Sequence, residues 1–580
     1  MSRLPYYHFR CDGKSIGIFK SSMNIMNNSY RGIMSLETVT GKKIVLTASA
    51  TEMSDFLNNP FIAFSGGFGK GPIPLSYVRK TLYPHRPQRA DGQASYVPYG
   101  LRKVESILIE AGFSPNDIAV SYPKDLDKFI GQNTKIVGIS SMDPTGMGYV
   151  SKTYSSIVGG GEPMNRIEFR KLVMHPAIKK YKANLKIIVG GYGSWQLERQ
   201  HVSKSYGIDC VLMGGRPKAI VELFKKALSG EPLPRIAKAD ESLDNWNYNK
   251  EMPITKNVAI HGAVEISKGC GRNCQFCTPT MQHKIDVPLE KIMQEVALSV
   301  AQGSDHITLI TEDMFLYGAK DPQFVPNREA VVKLFKTVAD YPGVKSIQAA
   351  HMSLAPVWHD PEMIKELAEI LIDKSWYSFG KNPIITAETG IETGSPRLMK
   401  KYMAGKMLPF KPEQWQDVVT NAFGILNDND WYPLATLIIG LPDETEEDML
   451  QTLELMDKLK GYNAFYVPLF FVPLENCVLM QQKGTEMDSL SKARWDFFIK
   501  CWEYNIKIWK PTFLENRLPN QTLYNTFDKF IIPYFGKILG AYYGLTRGAS
   551  GEQFKHAVYQ LSMPMSDNGR RVKGKIKIQT

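Results

Sequence analysis

The sequence predicts an α/β protein in which a doubly wound parallel sheet is followed by a partial six-stranded βα barrel and a helical carboxyl-terminal region. Three observations carry this. Short β-rich apolar runs alternate with helical stretches between about residues 43 and 228, the pattern of a parallel sheet with crossover helices. A second alternation over residues 259–480 offers six further strand-like runs separated by helices. After about residue 480 the strand signal stops, and Trp495, Phe498, Ile499, Trp502, Ile506 and Trp509 fall on one face of a helix.

The first alternation reads KIVLTAS, the helix LRKVESILIEAG, DIAVSY, KIVGISS, LKIIVGG and DCVLMGG, the last leading into the helix PKAIVELFKKAL. A ligand of such a sheet sits beyond the carboxyl ends of the strands. The loops there contain Ser140, Ser141, Met142 and Asp143, then Gly190 and Gly191, then Gly214 and Gly215. Most of these residues lack bulk, which suits either a backbone that approaches a large flat or phosphate-bearing ligand or plain turn chemistry. The residues alone leave both open, and no GxGxxG fingerprint accompanies them. With its amino-terminal extension, this domain takes residues 1–230. Residues 231–258 are polar and aperiodic and read as a linker.

The barrel strands expected over residues 259–480 are GAVEIS, HITLIT, KSIQAAHM, PIITAETG, YPLATLIIG and AFYVPLFFV. Between the first two, Leu289, Ile292, Met293, Val296, Ala297 and Val300 keep helical spacing. Thr445 with Asp448 starts a helix before MLQTLELMDKL. In such barrels chemistry sits at the carboxyl ends of the strands. Residues 481–580 form the helical region, with a second aromatic segment, FDKFIIPYFGKILGAYYG, and a basic tail. Its apolar stripe serves either to pack against the barrel mouth or to form a groove for a peptide.

Composition excludes several classes. At 43% hydrophobic and 22% charged residues the chain is globular rather than disordered. Its 580 residues exceed what one core supports. The strongly apolar stretch from Ala464 to Leu474 carries two prolines and falls short of the roughly 20 residues that cross a bilayer. The segment MSRLPYYHFRCDG lacks the apolar core of a signal peptide, so a cytoplasmic location without a membrane partner is expected. The net charge of +12 is spread thinly. The tail residues Arg570, Arg571, Lys573, Lys575 and Lys577 have no interleaved aromatics, which favours a solvated tail over a nucleic-acid arm.

Seven cysteines are too few, and an odd number, for a disulfide framework. Three of them, Cys270, Cys274 and Cys277, crowd into EISKGCGRNCQFCTP at the end of the first barrel strand. Three thiolates so spaced hold three irons of a four-iron cluster and leave the fourth open to another ligand. A structural zinc wants four protein ligands, and Cys11, Cys210, Cys477 and Cys501 are scattered.

This CxxxCxxC, with Phe276 before the third cysteine, resembles the radical S-adenosylmethionine (SAM) superfamily. The resemblance implies that SAM chelates the open iron through its amino and carboxylate groups and is cleaved reductively to a 5′-deoxyadenosyl radical. Further segments look like family motifs. ITEDMFLYG suggests Glu312 and Asp313 for the SAM amino group, GIETGS places Glu392 and Ser395 where ribose or carboxylate groups bind, and LIIGLPDET places Gly440 beside the adenine. A doubly wound domain before such a barrel is similar to the Rossmann-like cobalamin-binding domains of cobalamin-dependent radical enzymes. That similarity assigns Ser140, Ser141, Met142, Asp143, Gly190, Gly191, Gly214 and Gly215 to the corrin. Two departures stand out: no DxHxxG motif offers a histidine to cobalt, and MGGRP replaces an acidic GEGE-like turn. The implied activity is C-methylation, in which cobalamin takes a methyl from one SAM and delivers it to an unactivated carbon opened by the radical from another. KIVGISSMDPTGMG and the aromatic carboxyl-terminal region resemble the archaeal group that C-methylates a glutamine of methyl-coenzyme M reductase. The partners implied are a peptide or protein substrate and a low-potential electron donor such as ferredoxin or flavodoxin. A rearrangement or cyclisation of a small metabolite, lipid or tetrapyrrole is the alternative with the same cofactors.

Overall fold

The computed structural model describes residues 39–514 except 57–62, 71–73, 156–160, 240–246, 280–281 and 380–381, with side chains described up to residue 509. The amino-terminal extension with Cys11, the aromatic segment FDKFIIPYFGKILGAYYG and the basic tail lie outside the described residues.

The first domain is a six-stranded parallel sheet of β1 (Ile44–Ala48), β2 (Ile118–Val120), β3 (Ile136–Ser140), β4 (Lys186–Gly190), β5 (Cys210–Met213) and β6 (Ile236–Lys238). Its spatial order is β2-β1-β3-β4-β5-β6. Ala48 pairs with Ser140 and Ser140 with Gly190, so the carboxyl ends of the three central strands finish level. Alternation assigns the faces. Ile44, Leu46 and Ala48 pack with Leu101, Ile107 and Leu108 of helix Tyr99–Glu110 and with Leu223 and Phe224 of helix Pro217–Ser229. Val45 packs on the other side with Phe169 and Leu172 of helix Met164–Val173. The chain winds outward in opposite directions from β1 and β3, so the gap between them is the topological switch point, where such sheets bind ligands.

The stretch expected to be only a linker adds β6, which pairs in parallel with β5, and a short helix, Tyr248–Glu251. The alternation that betrays a half-buried strand is missing because β6 lies at the sheet edge and buries none of its residues.

The second alternation is a partial barrel. Its strands are Ala263–Glu265, His306–Ile310, Ser346–Ala349, Glu388–Glu392, Leu434–Ile439 and Phe465–Phe470. Parallel ladders join the first three and the last three, and a single bridge, His351 with Glu388, links the two groups. The fourth strand begins later than PIITAETG suggests, because Asn382–Ile384 pairs antiparallel with Tyr377–Phe379 instead.

Among the described residues the sixth strand has one ladder partner, and its other edge is satisfied by side chains. Asn505, on the helix Lys492–Leu514, accepts from Tyr466 N at 2.7 Å and donates to Tyr466 O at 2.7 Å. Tyr154 Oη donates to Pro468 O at 3.0 Å, and Phe470 N donates to Thr153 Oγ1 at 2.8 Å. Trp495, Phe498 and Ile499 of the apolar stripe are buried, and Trp509 donates to Ala464 O. Among the described residues no helix is long and apolar enough to cross a membrane.

The buried Arg102 ties the sheet domain to the approach to the barrel. It donates to Glu105 at 2.8 Å, to Val258 O at 3.0 Å and to the carbonyls of Ala94 and Ser95. Arg102→Met leaves Glu105 buried without its cation, a change that costs about 3–5 kcal/mol in comparable sites. A urea titration should show a lower midpoint at unchanged slope.

Candidate functional site

The three thiols sit on a loop whose base is closed by an antiparallel pairing of Ser267–Lys268 with Ile285–Asp286. Gly269, at φ +70°, turns the chain into the loop, and a Cβ there would meet His283 O at 2.8 Å. Cys270 and Cys274 are buried and Cys277 is partly buried. Cys277 N donates to Cys274 O, and Gln275 is pinned on both sides: its N donates to Tyr402 O and its O accepts from Leu479 N.

Arg272, inside the motif, holds this loop to the barrel. Its guanidinium donates to Asp313 and to Ser353 Oγ, each at 3.0 Å, and to the carbonyls of Gly405 and Lys406. It also lies 4.7 Å over the Phe324 ring. Asp313 accepts in addition from Phe315 N, Ser353 N and Ser353 Oγ, so both of its oxygens are engaged by the chain. Of the two carboxylates assigned to a SAM amino group, Glu312 is the one that makes no hydrogen bond or ion pair among the described residues.

Burial pushes the Cys270 thiol up to about 12 and raises that of Cys274, against which the Lys406 cation works. Such thiols stay neutral unless a metal takes the place of their protons. Among the described residues no three His, Cys, Asp or Glu side chains gather as they would around one metal ion. A cluster of several irons spreads its thiolates more widely than a single ion does. Three thiols on one loop without a fourth protein ligand fit a cluster with one open iron.

Around the carboxyl ends of the strands stand further charges. Glu265 accepts from Tyr248 Oη, and burial raises its carboxyl. His351 donates from Nδ1 to Thr311 O at 2.9 Å and points Nε2 at Glu388, 3.5 Å away. Burial alone would lower this imidazole, but Glu388 and then Glu312 outweigh it and hold it at about 9. The side chains of His351 and Glu388 stay 45% and 36% exposed. Glu392 has φ +64° at a bulge in the fourth strand and takes the Lys406 ammonium at 2.5 Å. Burial opposes the Lys406 charge, yet Glu392 and then Cys274 raise its ammonium.

Two other assigned residues are occupied by the fold. Ser395 is fully buried, caps the helix Pro396–Tyr402 and donates to Asp448 at 2.6 Å. Gly440, at φ +80°, leaves room for Thr485, whose Oγ1 would lie 2.1 Å from a Cβ there.

The loop after β3 joins the sheet to the thiol loop. Asp143 is its organising carboxylate, accepting from Gly148 N, Gln196 Nε2, Ser151 Oγ and Asn165 Nδ2. Tyr149 then reaches across, and its hydroxyl donates to Phe276 O at 3.2 Å. Burial, and then the neighbouring Cys277, keep this phenol neutral. Gly191 and Gly193 serve this loop: a Cβ would meet Ser141 O at 2.6 Å and Met142 O at 2.1 Å respectively. Gly190 ends β4 beside Ser140, and Gly214 has φ +90°. At Gly215 a Cβ would enter open space. Met142 and Tyr192 are 61% and 56% exposed, an apolar lining at the carboxyl edge of β3 and β4.

The sequence reading missed Arg272, Lys406, His351, Glu388 and Tyr149. His351 follows the third barrel strand as Glu312 follows the second, so the same positional logic finds it. Lys406 has no local signal, because only the fold brings it to Glu392.

Comparison with known proteins agrees with the thiol loop. Residues 264–456 match the Radical SAM superfamily. A tRNA-2-methylthio-N(6)-dimethylallyladenosine synthase of Thermotoga petrophila is 24% identical over 345 residues, 58% of this chain and 67% of that protein. Its namesake from Aliarcobacter butzleri is 28% identical over 233 residues, 39% of this chain and 48% of that protein. Two structures of the radical S-adenosylmethionine methyltransferase TsrM from Kitasatospora setae superpose with TM-score 0.48. One holds tryptophan substrate and a SAM analogue, and the other cobalamin and a [4Fe-4S] cluster. They share 13% and 12% identity and cover 76% of this chain and 75% and 77% of theirs. The barrel is a radical SAM domain, and the group that Cys270, Cys274 and Cys277 fit is its [4Fe-4S] cluster.

Replacing any one of the three cysteines by alanine should abolish the cluster absorbance after anaerobic reconstitution and lower bound iron severalfold. His351 should remain protonated at pH 7.5, with its imidazole resonances titrating near 9 in an NMR series. Its folded value lies above the unfolded one of about 6.5, so its stabilising contribution is complete below that pH and is lost as pH rises through about 9. His351→Gln should remove that alkaline decline.

Proposed function

We propose that the chain is a cobalamin-dependent radical SAM methyltransferase acting on an unactivated sp3 carbon of a peptide or protein side chain, with a glutamine of methyl-coenzyme M reductase as the best candidate. The observation that carries this reading is the contact between the two domains. The loop that leaves the carboxyl edge of the sheet, where a doubly wound domain holds its ligand, ends in Tyr149 bonded to the thiol loop.

When bound, the cluster with SAM supplies the 5′-deoxyadenosyl radical, and the corrin carries the methyl group. The chain supplies position and shelter. Cys270, Cys274 and Cys277 hold the cluster, and Arg272 fixes their loop against the second strand. Glu312 is free to accept from an ammonium, which a carboxylate does more strongly than a neutral acceptor. The largely shielded Lys406 offers charge to a carboxylate. Ser140, Ser141, Met142, Gly214 and Gly215 line the sheet edge for the corrin. Packing Tyr149 behind the thiol loop keeps water from that side, which protects a reactive intermediate. A low-potential donor of the ferredoxin or flavodoxin class would deliver the electron.

Methylthio transfer to tRNA is the second reading, favoured by the names of the sequence relatives. It calls for a second source of sulfur, and Cys210, Cys477 and Cys501 stand apart from one another in the chain, each buried. A rearrangement with the same cofactors would leave product mass unchanged.

The test is anaerobic reconstitution with hydroxocobalamin, followed by reductant and SAM. Bound corrin together with 5′-deoxyadenosine and S-adenosylhomocysteine is the expected result. A peptide spanning the reductase glutamine should gain one methylene. 5′-Deoxyadenosine without bound corrin would overturn the cobalamin assignment while leaving the radical SAM domain intact.

A further inference from the structure

The inside of the barrel is not filled. Val264, Ile307, Leu309 and Ile347 of the first three strands are buried together with Ile292 and Val296 of the helix Leu289–Ala301 and Leu334 of the helix Arg328–Ala339. The residues that alternate with them, Glu265, Thr308 and Gln348, take the opposite face, which is the barrel interior, as does Glu388 before the buried Thr389. All four remain partly exposed. A closed barrel packs this space with side chains, whereas here it stays open and polar.

On its wall His351 and Glu388 are brought together by the bridge between the two halves of the barrel. Nδ1 of the imidazole donates to Thr311 O, so Nε2 is the nitrogen turned to Glu388, and it stops 3.5 Å from Oε2. A charge-assisted N–H···O bond closes to about 2.7–2.9 Å. Both backbones are fixed, since Glu388 N donates to Ala350 O at 3.0 Å and Met352 N donates to Glu388 O at 2.9 Å. Strand register therefore sets the gap. The two side chains are 45% and 36% exposed, yet the protein around His351 is dense enough that burial by itself would lower its imidazole. Groups that are open and crowded at once line a hollow. The other carboxylate acting on the ring is Glu312, which the reading above gives to the SAM ammonium.

One cationic donor thus stands beside one anionic acceptor. An exposed ion pair of this kind contributes little to stability. A ligand group that satisfies both members offers an acceptor and a donor side by side, as a carboxamide does through its carbonyl oxygen and its NH2. A carboxylate, which only accepts, would meet the like charge of Glu388. A guanidinium, which only donates, would meet the like charge of His351.

We infer that His351 and Glu388 are the pair that selects the substrate side chain: Nε2–H donates to the carbonyl oxygen of a carboxamide, and Glu388 accepts from its NH2. This rests on the peptide methyltransferase reading, and it supplies the residues that tell glutamine from glutamate and from arginine.

Three peptides that span the reductase glutamine and differ only there, carrying Gln, Glu or Arg, test the pair without turnover. Their binding is read by fluorescence anisotropy on the full chain, reconstituted anaerobically with cobalamin and SAM and left without reductant. The unaltered chain should hold the Gln peptide about tenfold more tightly than either of the others, the worth of one hydrogen bond to a charged group. In Glu388→Gln, whose amide can face either group, the preference over the Glu peptide should vanish while that over the Arg peptide persists. In His351→Gln the preference over the Arg peptide should vanish while that over the Glu peptide persists. Residues that only held the barrel together would weaken all three peptides alike. Thermal melting and iron content check that each variant is folded. Equal binding of the three peptides by the unaltered chain would overturn the inference without recourse to any variant. So would a folded variant whose ratios match those of the unaltered chain, and both results leave the methyltransferase reading in place. If the unaltered chain binds none of the three peptides, the peptide reading falls and takes the inference with it.

Discussion

This six-stranded barrel does not close, since its first and last strands do not pair, and the backbone of its last strand must find partners outside the ladder. Much of the architecture answers that need. Asn505 mimics a neighbouring strand at Tyr466, and Thr153 and Tyr154 do the same two steps further along. The first brings the carboxyl-terminal helix onto the barrel, and the second brings the sheet domain. Because Tyr149 lies on the same short helix as Thr153 and Tyr154, satisfying the strand edge also delivers a hydroxyl to the thiol loop.

The alternations that predicted two α/β domains were legible because buried parallel strands are written in runs of β-branched and apolar residues. β1 to β5 and five of the barrel strands lie within the runs read for them. β6 was hidden because an exposed edge strand carries no such signature. The start of the fourth barrel strand was blurred for a different reason. Pro383 to Ile385 is apolar like a strand, yet Asn382–Ile384 belongs to a local hairpin.

The candidate site was legible where chemistry is local and opaque where it is assembled. The cysteine spacing needs only eight consecutive residues, so it announced itself. Glu312 and Asp313 were both visible at the end of the second strand, but their different employment was not. It depends on Arg272 arriving from the thiol loop and Ser353 from beyond the third strand. The glycines divide in the same way: Gly191 and Gly193 are accounted for by close backbone approach to Ser141 and Met142, whereas Gly215 faces open space.

Glu392 carries a consequence of another kind. A side chain other than glycine in the left-handed region costs of order 1–3 kcal/mol when its surroundings impose it. Glycine at 392 would relax the backbone but strand the Lys406 ammonium, whose side chain is largely shielded and has Glu392 as its ion-pair partner. A neutral residue at 406 would strand the carboxylate instead. Neither position can therefore drift alone. The strained backbone and the shielded cation form a two-residue lock, passable only by a simultaneous exchange of both.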